Sequence, residues 1–195
     1  MRLGSVLLVL LLAACGPATP GTDGGADCRD TTRTPASLLP NWNFECGASP
    51  WAPVFGDFAL APGEGRGGGA AGKLTVTAAG GRFTYQPAAL TNGGTKTYCL
   101  QAWVKGSVPF IRMRALLDFD GRVQEYSFSE QLGADWKKTP PSNPLRIPNE
   151  SAPKLLIVFE AQTNRTDGQS AVPGQTLFVD DVDLWETSGN CTEAR

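Results

Sequence analysis

The sequence predicts an all-β domain, a jelly-roll β-sandwich built of two antiparallel sheets. Two observations carry that expectation. Beyond the N-terminal apolar run no long stretch keeps the 3.6-residue period of an amphipathic helix, whereas short apolar runs separated by Gly, Pro, Asn and Asp recur from Trp42 onward. Eight or nine runs of strand length in a single domain then suit a jelly roll.

Taken in order, the expected strands are Phe55 to Ala61, Lys73 to Ala78, Arg82 to Gln86, Thr97 to Lys105, Phe110 to Asp118, Arg122 to Glu130, Lys154 to Gln162 and Thr176 to Trp185. Each is rich in the aromatic, β-branched or aliphatic residues that fill a pleated, half-buried surface. Asp118-Phe119-Asp120-Gly121-Arg122 joins two of them through the Asp-Gly signal of a tight hairpin. The glycine-rich stretch Gly63 to Gly72 lacks a G-K-[ST] ending and no helix follows it, so it reads as a loop and not a phosphate cradle. Pro140, Pro141, Pro144 and Pro148 mark a connection, because proline cannot donate to a sheet ladder.

The 195 residues allow one domain once the N-terminus is set aside. Met1-Arg2, an apolar run from Val6 to Leu12 and Leu12-Ala13-Ala14-Cys15 read as an export signal, residues 1–14, whose apolar run is too short for a spanning helix of about 20 residues. Leu-Ala-Ala-Cys resembles the lipobox of bacterial lipoproteins, which implies acylation of Cys15 and a membrane attachment through lipid alone. Gly16 in place of an aspartate favours the outer membrane of the cell envelope by the same resemblance. Residues 15–27 are rich in Gly, Pro and Thr and form a stalk, which leaves 28–195 as the folded domain.

Export to an oxidising compartment turns Cys28, Cys46, Cys99 and Cys191 into two expected disulfides, with three possible connectivities. If the chain ends adjoin, Cys28–Cys191 is a sensible clasp and leaves Cys46–Cys99. The formal net charge of -2 and the scattered cations argue against a nucleic-acid partner. Histidine is absent, which removes the usual nucleophile-and-base triads and His-based zinc sites. Asp118, Asp120, Glu125, Glu130 and Glu160 offer many carboxylate pairs, but no motif singles one out, so no enzymatic activity is expected.

Two acidic segments bracket the domain, Asn41-Trp42-Asn43-Phe44-Glu45 and Leu177-Phe178-Val179-Asp180-Asp181-Val182-Asp183-Leu184-Trp185. First and last strands of a sandwich often lie side by side, so these carboxylates are expected to meet. The succession Asn-Trp-Asn-Phe-Glu-Cys-Gly, Trp51, Lys-Leu-Thr-Val-Thr, Thr-Tyr-Cys-Leu-Gln-Ala-Trp-Val-Lys-Gly, Asp-Trp-Lys-Lys, Leu-Leu-Ile-Val-Phe and Leu-Phe-Val-Asp-Asp-Val-Asp-Leu resembles the galactose-binding-like jelly rolls, among them the xylan- and glucan-binding carbohydrate-binding modules. The likeness runs from about Leu39 to Glu186. It implies a structural calcium ion held by Glu45 and by Asp180 or Asp181, in keeping with the oxygen ligands calcium takes. Strict strand alternation would put Asp180 on one face with Phe178, Val182 and Leu184, and Asp181 on the other.

The resemblance also implies binding of a polysaccharide or other glycan by a monomeric, non-catalytic domain. Sugar recognition sets aromatic faces beside polar groups. Trp103 alternates with Gln101 and Lys105, and Tyr126 with Arg122 and Gln124, while Arg112 and Arg114 share a strand face suited to hydroxyl or acidic sugars. Trp51, flanked by Pro and Gly, is expected at the rim. The competing expectation is a structural or protein-interaction lipoprotein that uses the same fold without a sugar site.

Overall fold

A computed structural model describes residues 37–85, 96–119, 121–140, 144–147, 153–188 and 190–191. The expected signal peptide at 1–14, the stalk at 15–27, Cys15 and Cys28 lie outside the described residues. Those described form eleven strands: β1 (Trp51–Phe55), β2 (Asp57–Pro62), β3 (Ala70–Thr75), β4 (Arg82–Tyr85), β5 (Lys96–Gly106), β6 (Phe110–Phe119), β7 (Arg122–Gln131), β8 (Lys137–Lys138), β9 (Leu145–Ile147), β10 (Lys154–Ala161) and β11 (Thr176–Thr187). Pairing is antiparallel throughout. One sheet runs β1-β4-β10-β6-β7 and the other β2-β3-β11-β5-β8, with β9 also on β5. The all-β, two-sheet sandwich is the expected one.

Where elements differ from expectation, backbone chemistry explains it. The run expected as Phe55 to Ala61 is two strands, because the chain leaves one sheet and enters the other at Gly56. That residue has φ +84°, and a Cβ there would lie 2.7 Å from the Thr75 carbonyl oxygen, so only glycine fits. β1 escapes the strand pattern because of Pro53, which an edge strand tolerates. β8 and β9 are short pieces flanking the proline-rich connection.

Alternation within each strand sends one set of side chains inward. Phe83, Ile111, Met113, Leu117, Ile157 and Phe159 from the five-stranded sheet meet Leu74, Leu100, Val104, Leu177, Val179, Val182 and Leu184 from the other, all essentially buried. Trp51 joins them, with its ring centroid 4.9 Å from Tyr85, 5.2 Å from Phe44 and 5.7 Å from Phe83. Phe83 stacks in turn on Phe58 and Phe159. Such a close-packed aromatic cluster welds the two sheets at this end of the sandwich.

The Asn41–Glu45 segment is not a strand but a series of turns. Asn41 and Phe44 have positive φ, 49° and 60°. The Asn41 side chain holds the turn: its Nδ2 donates to the Gly47 and Ser49 carbonyls at 2.7 Å, and its Oδ1 accepts from the Cys46 amide at 3.0 Å. The segment still lies against the last strand, as Leu38 N–H donates to Leu184 O at 2.7 Å and Val182 N–H to Trp42 O at 2.9 Å. The two ends of the domain therefore do adjoin.

A disulfide joins Cys99 to Cys191, which overturns both expected pairs, Cys28–Cys191 and Cys46–Cys99. The register gives the reason. Thr187, the last residue of β11, pairs with Thr97, two positions from Cys99, so the chain leaving β11 passes over β5. Cys46 is disulfide-bonded as well, to a partner outside the described residues.

Candidate functional site

The first candidate is an open pocket of about 450 Å³ lined by Trp42, Asn43, Glu45, Arg66, Gly67, Gly69, Asp180 and Asp181. A β-bulge builds it. The β11–β5 register shifts between Asp180 and Asp183, and Asp181 has φ +47°, so Val179 and Val182 both face the core while two aspartates are turned out of the sheet together. The simple alternation expected for Asp180 and Asp181 fails for this reason, and both line the pocket. The glycine-rich β2–β3 hairpin covers it. Arg66 N–H donates to Asp180 Oδ2 at 2.8 Å, Arg66 Nη1 pairs with Asp181 Oδ2 at 2.8 Å, and Ala70 N–H donates to Glu45 Oε1 at 2.8 Å. A Cβ on Gly69 would overlap the Glu45 carboxylate in its present position, so a larger residue there would displace that side chain.

Asp180 is 4% exposed. Burial pushes its carboxyl up to about 6, and the nearby Asp181 and Glu45 add to the shift, against the stabilising amide hydrogen bonds from Arg66 and Asp181. The donors are hard oxygens of the kind calcium takes. Among the described residues no three acidic side chains form a ready ligand cluster, and the Arg66 guanidinium occupies the Asp181 carboxylate. The oxygen donors of the set suit a hard cation, and the Arg66 guanidinium already lies against one of them.

The second candidate is the outer face of the five-stranded sheet. Register places Phe55, Arg82, Glu160, Arg112 and Ser129 in one row across five strands, with Thr84, Val158, Arg114 and Ser127 in the next. Glu160 Oε2 accepts from Arg114 Nη2 and pairs with Arg82 Nη2, both at 3.1 Å, and Glu125 lies 3.7 Å from Arg114 Nη1. Val158, in register with Arg114, is 1% exposed although it points away from the core. The buried Nε–H groups of Arg82 and Arg114 have no acceptor among the described residues. Arg112 is exposed and makes no ion pair among them. Phe55, 45% exposed, stands at one end of the row, and Phe110 lies on β6 beside Arg112 under the guanidinium of Arg165. The result is a polar, donor-rich floor with aromatic groups at its margins.

Known structures match this architecture. A family 61 carbohydrate-binding module in complex with β-1,4-galactotriose is 19% identical, with a TM-score of 0.51 over 77% of this chain and 99% of that one. A structure of family 16 carbohydrate-binding module-2 is 16% identical, with a TM-score of 0.53 over 76% and 99%. The CBM22-2 xylan-binding domain of Xyn10C from Paenibacillus barcinonensis is 17% identical, with a TM-score of 0.55 over 74% and 97%. The fold is that of a carbohydrate-binding module. No protein-family model and no curated protein matches the sequence.

On this frame, the residues expected to touch sugar separate. Arg112 and Arg114 come together on the outer face of the five-stranded sheet. Trp51 is not at a rim: it is 4% exposed in the core, its Nε1 donating to Asn41 O at 3.2 Å. Gln101 is 1% exposed because the β8 end covers it, with its Nε2 on Thr139 O at 2.7 Å. Tyr126, expected with Arg122 and Gln124 on a ligand face, is drawn inward instead. It pairs with Ala115, which faces the core, and packs against the core itself. Trp103 lies on the outer face of the opposite sheet, where the Arg66 guanidinium sits 4.0 Å from its ring centroid.

Arg66 and Arg82 escape sequence reasoning, and Glu160 enters it only as one of several carboxylates that no motif singles out. Arg82 and Glu160 are single charges within otherwise apolar strands, a signal visible in Arg-Phe-Thr-Tyr and Val-Phe-Glu-Ala but with no hint that the strands are neighbours. Arg66 is hidden in a loop of low complexity.

Proposed function

We propose that the chain is a non-catalytic glycan-binding domain whose binding surface is the outer face of the five-stranded sheet. The observation that carries this reading is the Arg82–Glu160–Arg114 floor, with Arg112 and the two serines beside it, on a fold that solved carbohydrate-binding modules share. Guanidinium N–H groups donate, the carboxylates accept, and the exposed Phe55 offers apolar surface to sugar rings, a combination suited to hydroxyl-rich ligands.

Calcium belongs to the same reading as a structural ion. Glu45, Asp180 and Asp181 would hold it, and it would neutralise carboxylates that line one pocket together. Acylation of Cys15 would tether the domain to the outer membrane of the cell envelope, as the lipobox-like sequence supports, with the domain acting as a monomer. The test is a glycan array combined with affinity electrophoresis through soluble polysaccharides, in calcium. Retention by at least one glycan is expected; no retention of the folded protein by any would remove the proposal. Mass spectrometry of the exported protein checks the acyl chains on Cys15.

A further inference from the structure

We infer that the glycan is acidic and that Arg112 reads its negative group; this rests on the sheet-face reading given above. Charge on that face is not balanced. Arg82 and Arg114 share the carboxylate of Glu160, and Glu125 lies beside Arg114, so two arginines face two carboxylates. Arg112 is left over. Its register partners are Glu160 on β10 and Ser129 on β7, yet Glu160 directs Oε2 at the other two arginines, and the Ser129 hydroxyl is engaged by Gln162. Its guanidinium is exposed at the side of the floor, and among the described residues it makes no ion pair.

A planar fork of fixed donors matches a carboxylate or sulfate in two parallel hydrogen bonds, which a neutral hydroxyl cannot offer. The neighbouring frame favours that use. Arg114 is held from both sides by Glu160 and Glu125, so it positions the floor, while Arg112 keeps its donors for a ligand. The buried Nε–H groups of Arg82 and Arg114, without acceptors among the described residues, leave this face richer in donors than acceptors. The formal net charge of the chain is -2, so a polyanion would not be drawn by bulk attraction. The ligand class is a polysaccharide bearing uronate or sulfate groups, with Arg112 fixing the anionic sugar over the Ser127–Ser129 edge.

The experiment measures binding of the full domain to polygalacturonate, to a sulfated galactan and to neutral β-1,4-galactan and xylan by isothermal titration. The acidic polymers should bind about tenfold or more tightly than the neutral ones, as expected for a charge-assisted fork. That preference should weaken at about 1 M salt, where the screening length is roughly 3 Å. Preference for polygalacturonate alone assigns the group as carboxylate, and preference for the sulfated polymer alone assigns it as sulfate. Arg112→Gln should remove the preference while leaving the melting temperature unchanged, since the side chain is exposed. Arg146→Gln on the opposite sheet removes one charge from an exposed position and should change neither. Equal affinity for acidic and neutral polymers, or a preference that survives Arg112→Gln, overturns the inference and leaves the glycan reading standing. Binding to none of these polymers or to any array glycan overturns both.

Discussion

Replacing Asp180 with Asn tests the acidic pocket through its pH dependence. In the metal-free protein the Asp180 carboxyl lies at about 6, against an ordinary value of 3.8, because it is buried beside Asp181 and Glu45. The folded state therefore binds this proton more tightly than the unfolded chain does. Stability from this group is fully present below about pH 4 and is lost as pH rises through 6. A shift of roughly two units at about 1.36 kcal/mol per unit corresponds to a loss on the order of 3 kcal/mol. The asparagine of the Asp180→Asn variant cannot titrate. It lacks one of the two acceptors used by the Arg66 and Asp181 amides, which adds a constant offset, so the informative quantity is the change with pH of the difference between the two proteins. Urea unfolding in chelator at pH 4, 5, 6 and 7 should show the wild type losing stability relative to Asp180→Asn across that range. Calcium at about a hundred times its dissociation constant should then return about 2.7 kcal/mol to the wild type at pH 7 and much less to the variant. A stability difference that stays flat from pH 4 to 7 would refute the reasoning about burial, and an identical response of both proteins to calcium would refute the assignment of Asp180 to the ion.

Two further outcomes follow from the geometry. Cys99→Ser opens a crosslink that spans 92 residues, for which the chain-entropy relation gives about 4.6 kcal/mol; a loss in urea unfolding well under about 1 kcal/mol would mean the bond adds little to the folded state. Arg66→Ala removes the guanidinium from the Trp103 ring and should shift that residue's fluorescence to longer wavelength, measured against a Trp103→Phe control, and an unchanged spectrum would contradict the contact.

The sandwich is legible in the sequence because strand signals are local. Alternation, aromatic and β-branched content and turn residues mark β3 to β7, β10 and β11 without knowledge of their neighbours. The meeting of Glu45 with Asp180 and Asp181 is legible too, since adjoining chain ends are a property of the architecture. What fails depends on which way a residue turns. Trp51 sits among Pro and Gly residues and reads as surface, yet the turn that Asn41 holds and the β1 strand deliver it into the aromatic core. The bulge at Asp181 adds a residue that no period-two pattern reveals, so alternation wrongly splits the two aspartates between faces. Disulfide pairing depends on register: the Trp185–Cys99 pairing of β11 and β5 decides it, and spacing along the chain carries no trace of that. Arg82, Glu160 and Arg114 become one network only because β10 lies between β4 and β6, a long-range choice of strand order.

Glycan binding on the outer face of the five-stranded sheet can be mapped directly. Backbone amide and arginine side-chain chemical shifts of the labelled domain, recorded while a retained glycan is titrated in, locate the contact residue by residue. Shifts concentrated at Arg82, Arg112, Arg114, Ser127 and Ser129 are the predicted result. Shifts centred on Trp103 and the opposite sheet, or none with any glycan, would contradict it.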